Sequence, residues 1–95
     1  MARALVRIDG GVVRLVECLD RDFCRALESS GYLASGALEG LEAAYQCVAG
    51  GVEDEGGDGW GCALRIVSSL GIWLPLLIVY MDLRRRGRKP RPGAR

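Results

Sequence analysis

The stretch that decides the fold is ALVRIDGGVVRLV, residues 4–16. It holds two runs rich in β-branched residues, which favour strands because their side chains pack well on a pleated surface. Between the runs lies Asp9-Gly10-Gly11, and a short glycine-containing turn between two strand candidates is typical of a β-hairpin. The sequence therefore predicts that the chain opens with two antiparallel strands joined by a tight turn.

The residues that follow the hairpin alternate between helical patterns and turns. Asp20 can cap a helix over residues 21–29, and Tyr32-Leu33-Ala34 is a short strand candidate. Apolar residues recur at helical spacing from Leu38 to Ala49 and again from Trp60 to Leu70. We therefore predict an α+β fold in which a hairpin and a short strand pack with three helices.

The acidic side chains in the middle of the chain are predicted to be solvated. The loop Val52–Gly59 carries four carboxylates, but they lack the spacing and the closing glutamate of an EF-hand calcium loop. Glu39 and Glu42 lie on one face of the second predicted helix, where charged side chains usually face water. Gly50-Gly51 and Gly56-Gly57 lack the Lys-Ser/Thr of a phosphate-binding loop. The sequence therefore predicts no metal site and no cofactor.

The composition limits the chemistry that the chain can perform. It contains no histidine, which removes the commonest general base and excludes a Ser/His/Asp or Cys/His catalytic arrangement. The four cysteines, whose spacings include no C-x-x-C pair, are Cys18, Cys24, Cys47 and Cys62. We predict buried free thiols, with one or two disulfides as the alternative and their pairing left open.

Two features of the sequence bear on where the protein works. Arginine outnumbers lysine twelve to one and asparagine is absent, a composition that leans towards a thermophile. The N-terminus, MARALVRIDGG, is interrupted by charge and shows no secretory signal. We therefore predict a cytoplasmic protein, a setting in which disulfides are unusual unless the source is a hyperthermophile.

The charge is divided unevenly along the chain. Residues 1–83 carry six arginines and twelve acids, net −6, whereas residues 84–95 carry six arginines and one lysine, net +7. This asymmetry indicates a partner that is RNA, an anionic lipid surface or an acidic protein patch. A disordered, solubilising tail is the alternative. The candidates for RNA contact are the basic residues of the terminal segment: Arg84, Arg85, Arg86, Arg88, Lys89 and Arg91.

The apolar run before these charges has two interpretations. Sixteen residues between Arg65 and Asp82 carry no charge, fewer than the ~20 of a membrane-spanning helix, and Gly71 and Pro75 interrupt them. We therefore favour two buried helices over a single-pass membrane protein with a basic tail. A stand-alone protein-interaction module is a further alternative. The side chains predicted to bury the terminal helix are Leu76, Val79, Tyr80 and Leu83.

Residues 79–87, VYMDLRRRG, carry a recognisable order of residues. They resemble the Y-x-D-L-R-x-R-G segment of archaeal tRNA-splicing endonucleases. Upstream, Gly31-Tyr32-Leu33, the E-A-x-Y order at residues 42–45 and Gly50-Gly51-Val52 are similar to the small N-terminal domain of that family. The resemblance covers most of the chain, from about residue 4 to residue 93.

The resemblance implies a domain organisation and roles for the terminal segment. Residues 1–71 would form the N-terminal α+β domain, and residues 72–95 the first helix and basic turn of a truncated C-terminal α/β nuclease-like domain. The structural motif would be Tyr80, Asp82, Leu83 and Gly87. In it, Asp82 would pair with an arginine of the turn and Gly87 would end the helix in a left-handed conformation.

The resemblance also implies a function. The family cuts RNA with a tyrosine, a histidine and a lysine that lie downstream of D-L-R-x-R-G, so no catalytic residue is assigned in this chain. Whether the chain is an enzyme stays open, and a structural, non-catalytic subunit is expected. The partners implied are a catalytic endonuclease subunit, in a hetero-oligomer, and precursor tRNA or another RNA with a bulge-helix-bulge. No membrane partner is expected.

Overall fold

The predicted hairpin forms the centre of a sheet. The computed structural model of the chain describes residues 2–87. The strands within this range are β1 (Ala4–Asp9), β2 (Val12–Cys18), β3 (Leu33–Ala34), β4 (Ala37–Leu38) and β5 (Val52–Glu53). They form one sheet in the order β3-β4-β2-β1-β5, in which β1 and β2 are antiparallel and β5 runs parallel to β1.

Helices follow the strands in the order that the sequence predicts. Those described between residues 2 and 87 are α1 (Arg21–Ser29), α2 (Gly40–Ala49), α3 (Gly59–Leu70) and α4 (Leu74–Arg85). Asp20 caps α1, since its Oδ1 accepts a hydrogen bond of 3.2 Å from the backbone N–H of Phe23. Gly50 ends α2 with a left-handed φ of +86°, a conformation that costs glycine little. The predicted α+β fold is confirmed.

Two short strands are absent from the sequence prediction. Ala37–Leu38 forms β4, so α2 begins at Gly40 rather than at Leu38. Val52–Glu53 forms β5, which pairs with Ala4 and Leu5 of β1 in what the sequence indicated as a solvated loop. Strands of two residues are too short to show the period-2 pattern by which a strand is recognised.

The core forms where α2 lies between the sheet and the other helices. Ala43, Ala44 and Cys47 of α2 are fully buried, and Ala63 and Ile66 of α3 are fully buried as well. Small side chains at a helix interface allow close approach of the two backbones, so α2 and α3 pack tightly. The helix α2 is apolar around most of its circumference, as expected of a helix covered on several sides.

The cysteines are paired in the structure, in contrast to the free thiols that we favoured. Cys18 at the end of β2 is joined to Cys24 of α1, and Cys47 of α2 is joined to Cys62 of α3. Sequence spacing alone could not select this pairing, because it depends on which elements the fold brings together. The second disulfide links the two helices that form the centre of the core.

The helix α4 packs on the rest of the described chain through one side only. Pro75 lies in its first turn, and Leu77, Tyr80 and Met81 are buried. Val79, which we predicted to be buried, is 57% exposed. Spacing alone did not determine which face of a largely apolar helix turns inward. Within residues 2–87, no helix has the length and apolar character needed to cross a membrane.

Candidate functional site: the Glu42 cluster and the basic turn

A buried carboxylate on α2 is the centre of the most elaborate polar site in the described part of the chain. Glu42, which we predicted to be solvated, has no exposed surface. Its Oε1 accepts hydrogen bonds from the hydroxyl of Tyr80 and from Nε of Arg84 at 3.0 Å. Its Oε2 accepts from Nη2 of Arg84 and from Nε2 of Gln46, both at 2.8 Å. We call Glu42, Gln46, Tyr80 and Arg84 the Glu42 cluster.

The geometry of the Glu42 cluster follows from helical periodicity. Tyr80 and Arg84 are four residues apart on α4, so they lie on the same face, one turn from each other. Glu42 and Gln46 have the same separation on α2. The Y-x-D-L-R order therefore places a hydroxyl and a guanidinium side by side, both directed at α2. A carboxylate oxygen pair has room for about four hydrogen bonds, and here all of them are made.

Aromatic rings enclose the guanidinium of Arg84. Its Cζ lies 5.0 Å from the ring centroid of Tyr45 and 5.7 Å from that of Tyr32, within the range of cation–π attraction. Tyr45 and Tyr80 also meet edge to face, with centroids 6.4 Å apart. The rings exclude water, and the side chain of Arg84 is only 16% exposed. The ion pair with Glu42 is therefore little weakened by solvent.

The surroundings keep the two α4 members of the cluster in single protonation states. Burial, and then the hydrogen bond to Glu42, raises the pKa of Tyr80 well above its usual value. The hydrogen bond to Glu42 also raises the pKa of Arg84. Tyr80 thus remains a hydrogen-bond donor and Arg84 a cation at any physiological pH. A carboxylate with all its acceptor positions occupied is not placed to act as a general base. The hydrogen bonds of the Glu42 cluster instead hold α4 to α2.

This arrangement changes the set of RNA-contact candidates. Arg84 faces the interior, bound to Glu42, and we remove it from the set. Arg85 and Arg86 are exposed at the end of α4. Nε of Arg86 lies 3.3 Å from Oδ2 of Asp82, and this pair is exposed to solvent. The remaining candidates, Arg88, Lys89 and Arg91, lie outside the described residues. We call the segment that holds Arg85, Arg86, Arg88, Lys89 and Arg91 the basic turn.

Asp82 and Gly87 of the expected terminal motif are exposed, Asp82 on α4 and Gly87 just past its end. Leu83 is half-buried. Gly87 has φ +80° and its N–H donates a hydrogen bond of 3.1 Å to the carbonyl of Arg84, which closes the helix. Glycine reaches this left-handed conformation without the steric cost that other residues meet. The chain thus leaves α4 immediately after the anchored residues.

The acidic loop before α3 holds a second ion pair. Both carboxylate oxygens of Asp54 accept hydrogen bonds of 2.7 Å from Arg65. The hydrogen bond from Arg65 lowers the pKa of Asp54. The described residues contain no cluster of cysteine and acidic side chains arranged to hold a metal ion. The ion pair between Asp54 and Arg65 holds this loop to α3.

Comparison with known proteins identifies the domain that contains α2 and the buried Glu42. Residues 2–70 match the family model of the tRNA-intron endonuclease SEN2-like N-terminal domain. No curated protein matches the chain. The matched segment contains Glu42 and Gln46, whereas Tyr80 and Arg84 follow it.

Proposed function

Since the chain belongs to the tRNA-intron endonuclease SEN2-like N-terminal domain family, we propose that it is a structural subunit in the removal of introns from precursor tRNA. Its part is to support a catalytic subunit and to help hold the RNA. The observation that carries this proposal is the bidentate pair between Arg84 and Glu42. It binds the helix that ends in the basic turn directly to the core of the matched domain.

The anchor gives Arg85 and Arg86, the described residues of the basic turn, a defined position next to α2. Tyr80 and Arg84 hold the last turns of α4, so the exposed Arg85 and Arg86 follow at a fixed place. Arginine can contact a phosphate through two parallel hydrogen bonds, and its planar group can stack on an unpaired base. Arg85 and Arg86 are followed in the sequence by Arg88, Lys89 and Arg91, and this concentration of positive charge is suited to the phosphate backbone of a bulge-helix-bulge RNA.

The supporting role also agrees with the chemistry of the buried site. The carboxylate of Glu42 accepts four hydrogen bonds and the phenol of Tyr80 is kept protonated. Both groups serve cohesion between α2 and α4. Catalysis would then come from a partner subunit in a cytoplasmic hetero-oligomer, and this chain would contribute shape and positive charge.

The RNA contact can be tested by the salt dependence of binding. Each phosphate contact contributes about 0.7 to 0.9 to the slope of log K against log salt concentration. We expect the double variant Arg85→Gln/Arg86→Gln to bind a labelled bulge-helix-bulge RNA more weakly. The slope of log K against log salt concentration should be less steep by about 1.5. The matched control is Arg21→Gln/Arg25→Gln, which removes the same charge from exposed positions on α1.

The control decides how the result is interpreted. If the basic turn contacts RNA, the α1 variant keeps the wild-type slope while the variant of the basic turn loses part of it. Equal losses in both variants would mean that only the net charge matters. Unchanged binding of the Arg85/Arg86 variant at low salt would contradict the proposed RNA contact.

A stand-alone protein-interaction module is the second candidate. It is favoured by the half-exposed apolar side chains Trp60, Ile78 and Val79 on α3 and α4. RNA titration separates the two functions, because an interaction module with no role in RNA processing would bind bulge-helix-bulge RNA no better than an unstructured RNA of equal length.

A further inference from the structure

The two disulfides differ in how a reductant can reach them. Cys18 is an exposed residue at the end of β2, and its partner Cys24 on α1 is 6% exposed. Cys47 and Cys62 are both fully buried between α2 and α3. The rate at which a dissolved thiolate attacks a disulfide depends on its access to one of the sulfurs. The Cys18–Cys24 bond is therefore open to attack in the folded protein from the side of Cys18, whereas the Cys47–Cys62 bond is not.

The surroundings of the Cys18–Cys24 disulfide also suit its reduced form. Sγ of Cys18 lies 3.1 Å from the backbone carbonyl oxygen of Asp20, and a thiol at that place can donate its S–H to this oxygen. Cys24 belongs to the hydrophobic core, where a free thiol packs as a small apolar group. The backbone N–H groups of Leu19 and Asp20 both donate hydrogen bonds to the carbonyl of Arg3. These bonds keep the path of the chain when the disulfide opens.

The helix α1 has few attachments besides this disulfide. Of its nine residues, Cys24 and Leu27 are the buried ones. Helices shorter than about 12–15 residues are marginal in water and depend on tertiary packing. The disulfide ties one of these two buried side chains to the end of β2. Its opening should therefore let α1 unfold locally more often, while α2 and α3 keep their buried contacts and their own disulfide.

We propose that the Cys18–Cys24 disulfide is a redox-sensitive link that controls the order of α1, and that a dithiol opens it in the folded protein. One thiolate of the dithiol attacks Sγ of Cys18 and forms a mixed disulfide, while the S–S bond breaks and Cys24 leaves as a thiolate that takes up a proton. The second thiolate then attacks the reductant's sulfur in the mixed disulfide. Cys18 is released and protonated, and the dithiol, having given two electrons, becomes a disulfide.

Trapping of free thiols in the full chain tests the selectivity of this reaction. The chain is incubated with dithiothreitol, and samples are quenched over time with N-ethylmaleimide in guanidinium and mapped by peptide mass spectrometry. Cys18 and Cys24 should be modified at least about a hundredfold faster than Cys47 and Cys62, because the buried pair is reached only through unfolding of the whole domain. In the control, guanidinium is present during the reduction, and the two pairs should then react at similar rates.

Hydrogen exchange tests the effect on α1. Once the Cys18–Cys24 bond has been opened, backbone amides of α1 should exchange about tenfold faster or more, while those of α2 and α3 keep their rates. The matched control is the double variant Cys18→Ala/Cys24→Ala, which lacks this link and keeps Cys47–Cys62. Its α1 should exchange as fast as that of the reduced wild type, with or without dithiothreitol. Circular dichroism establishes that the variant is folded, and the trapping experiment uses the wild type alone.

Several results would overturn the proposal. Reduction of both disulfides at the same rate in the native chain would do so, as would a Cys18–Cys24 bond that stays closed until the whole domain unfolds. Unchanged exchange in α1 after the bond has opened would contradict the control over this helix. None of these measurements uses RNA or a second subunit, so this proposal and the proposed function can fail separately.

Discussion

Loss of the Arg84 guanidinium should destabilise the protein more than the loss of any exposed charge. In Arg84→Gln, Glu42 would keep its hydrogen bonds from Tyr80 and Gln46 but lose its counter-ion, with none of its surface in contact with water. Removing one partner of a buried ion pair costs about 3–5 kcal/mol. The total stability of such a domain is about 5–15 kcal/mol, so the variant should lose a large fraction of its free energy of unfolding.

The measurement is the free energy of unfolding in urea, followed by circular dichroism with the disulfides intact. The matched control is Arg86→Gln, at the C-cap of the same helix, since the pair of Arg86 with Asp82 is largely exposed. Exposed pairs contribute about 0–1 kcal/mol. The double variant Glu42→Gln/Arg84→Gln should cost less than the sum of the two single changes, because it leaves no buried charge. A loss below about 1 kcal/mol for Arg84→Gln, equal to that of Arg86→Gln, would refute the buried anchor.

Three further predictions concern protonation and cross-linking. Because the pKa of Tyr80 is raised, its stabilising contribution is complete below the unfolded value of about 10 and is lost above it. The free energy of unfolding of the wild type, measured in urea, should therefore be about 1 kcal/mol lower near pH 11 than at neutral pH. Tyr80→Phe should not show this loss. Because the pKa of Asp54 is lowered, its contribution to the free energy of unfolding is present above about pH 4 and is lost as the pH falls. In Asp54→Asn, the free energy of unfolding should therefore fall less steeply between neutral and acid pH. The double variant Cys47→Ala/Cys62→Ala removes a disulfide between residues 15 apart in sequence. Calorimetry should show a loss of about 3 kcal/mol in the free energy of unfolding.

The local features of the fold could be predicted because short-range chemistry determines them. The hairpin at Asp9-Gly10-Gly11, the cap at Asp20 and the end of α2 at Gly50 each depend on residues adjacent in sequence. Turn and cap preferences are strong enough there to be read directly. The parallel pairing of Val52 with Ala4 depends on a contact 48 residues away, which no local pattern contains.

The Glu42 cluster illustrates the same limit at the candidate site. Y-x-D-L-R indicates that Tyr80 and Arg84 share a helix face, but it does not say what that face meets. Glu42 looked solvated because charged residues on helices usually are. Its neighbours Leu41, Ala43 and Ala44 are all apolar, and a single acid within such a run was the available signal for a buried, paired carboxylate. The prediction from helical spacing that Val79 would be buried was also wrong, since this side chain is exposed to solvent.

Reconstitution tests most directly the proposal that this chain supports RNA cleavage by another subunit. A catalytic endonuclease subunit bearing the tyrosine, histidine and lysine would be assayed on precursor tRNA with and without this chain. We predict that the two proteins purify as one complex and that efficient intron removal requires both. Arg84→Gln should weaken the effect by disturbing the anchor of the basic turn. Full cleavage by the catalytic subunit alone, with no complex formed, would contradict the account.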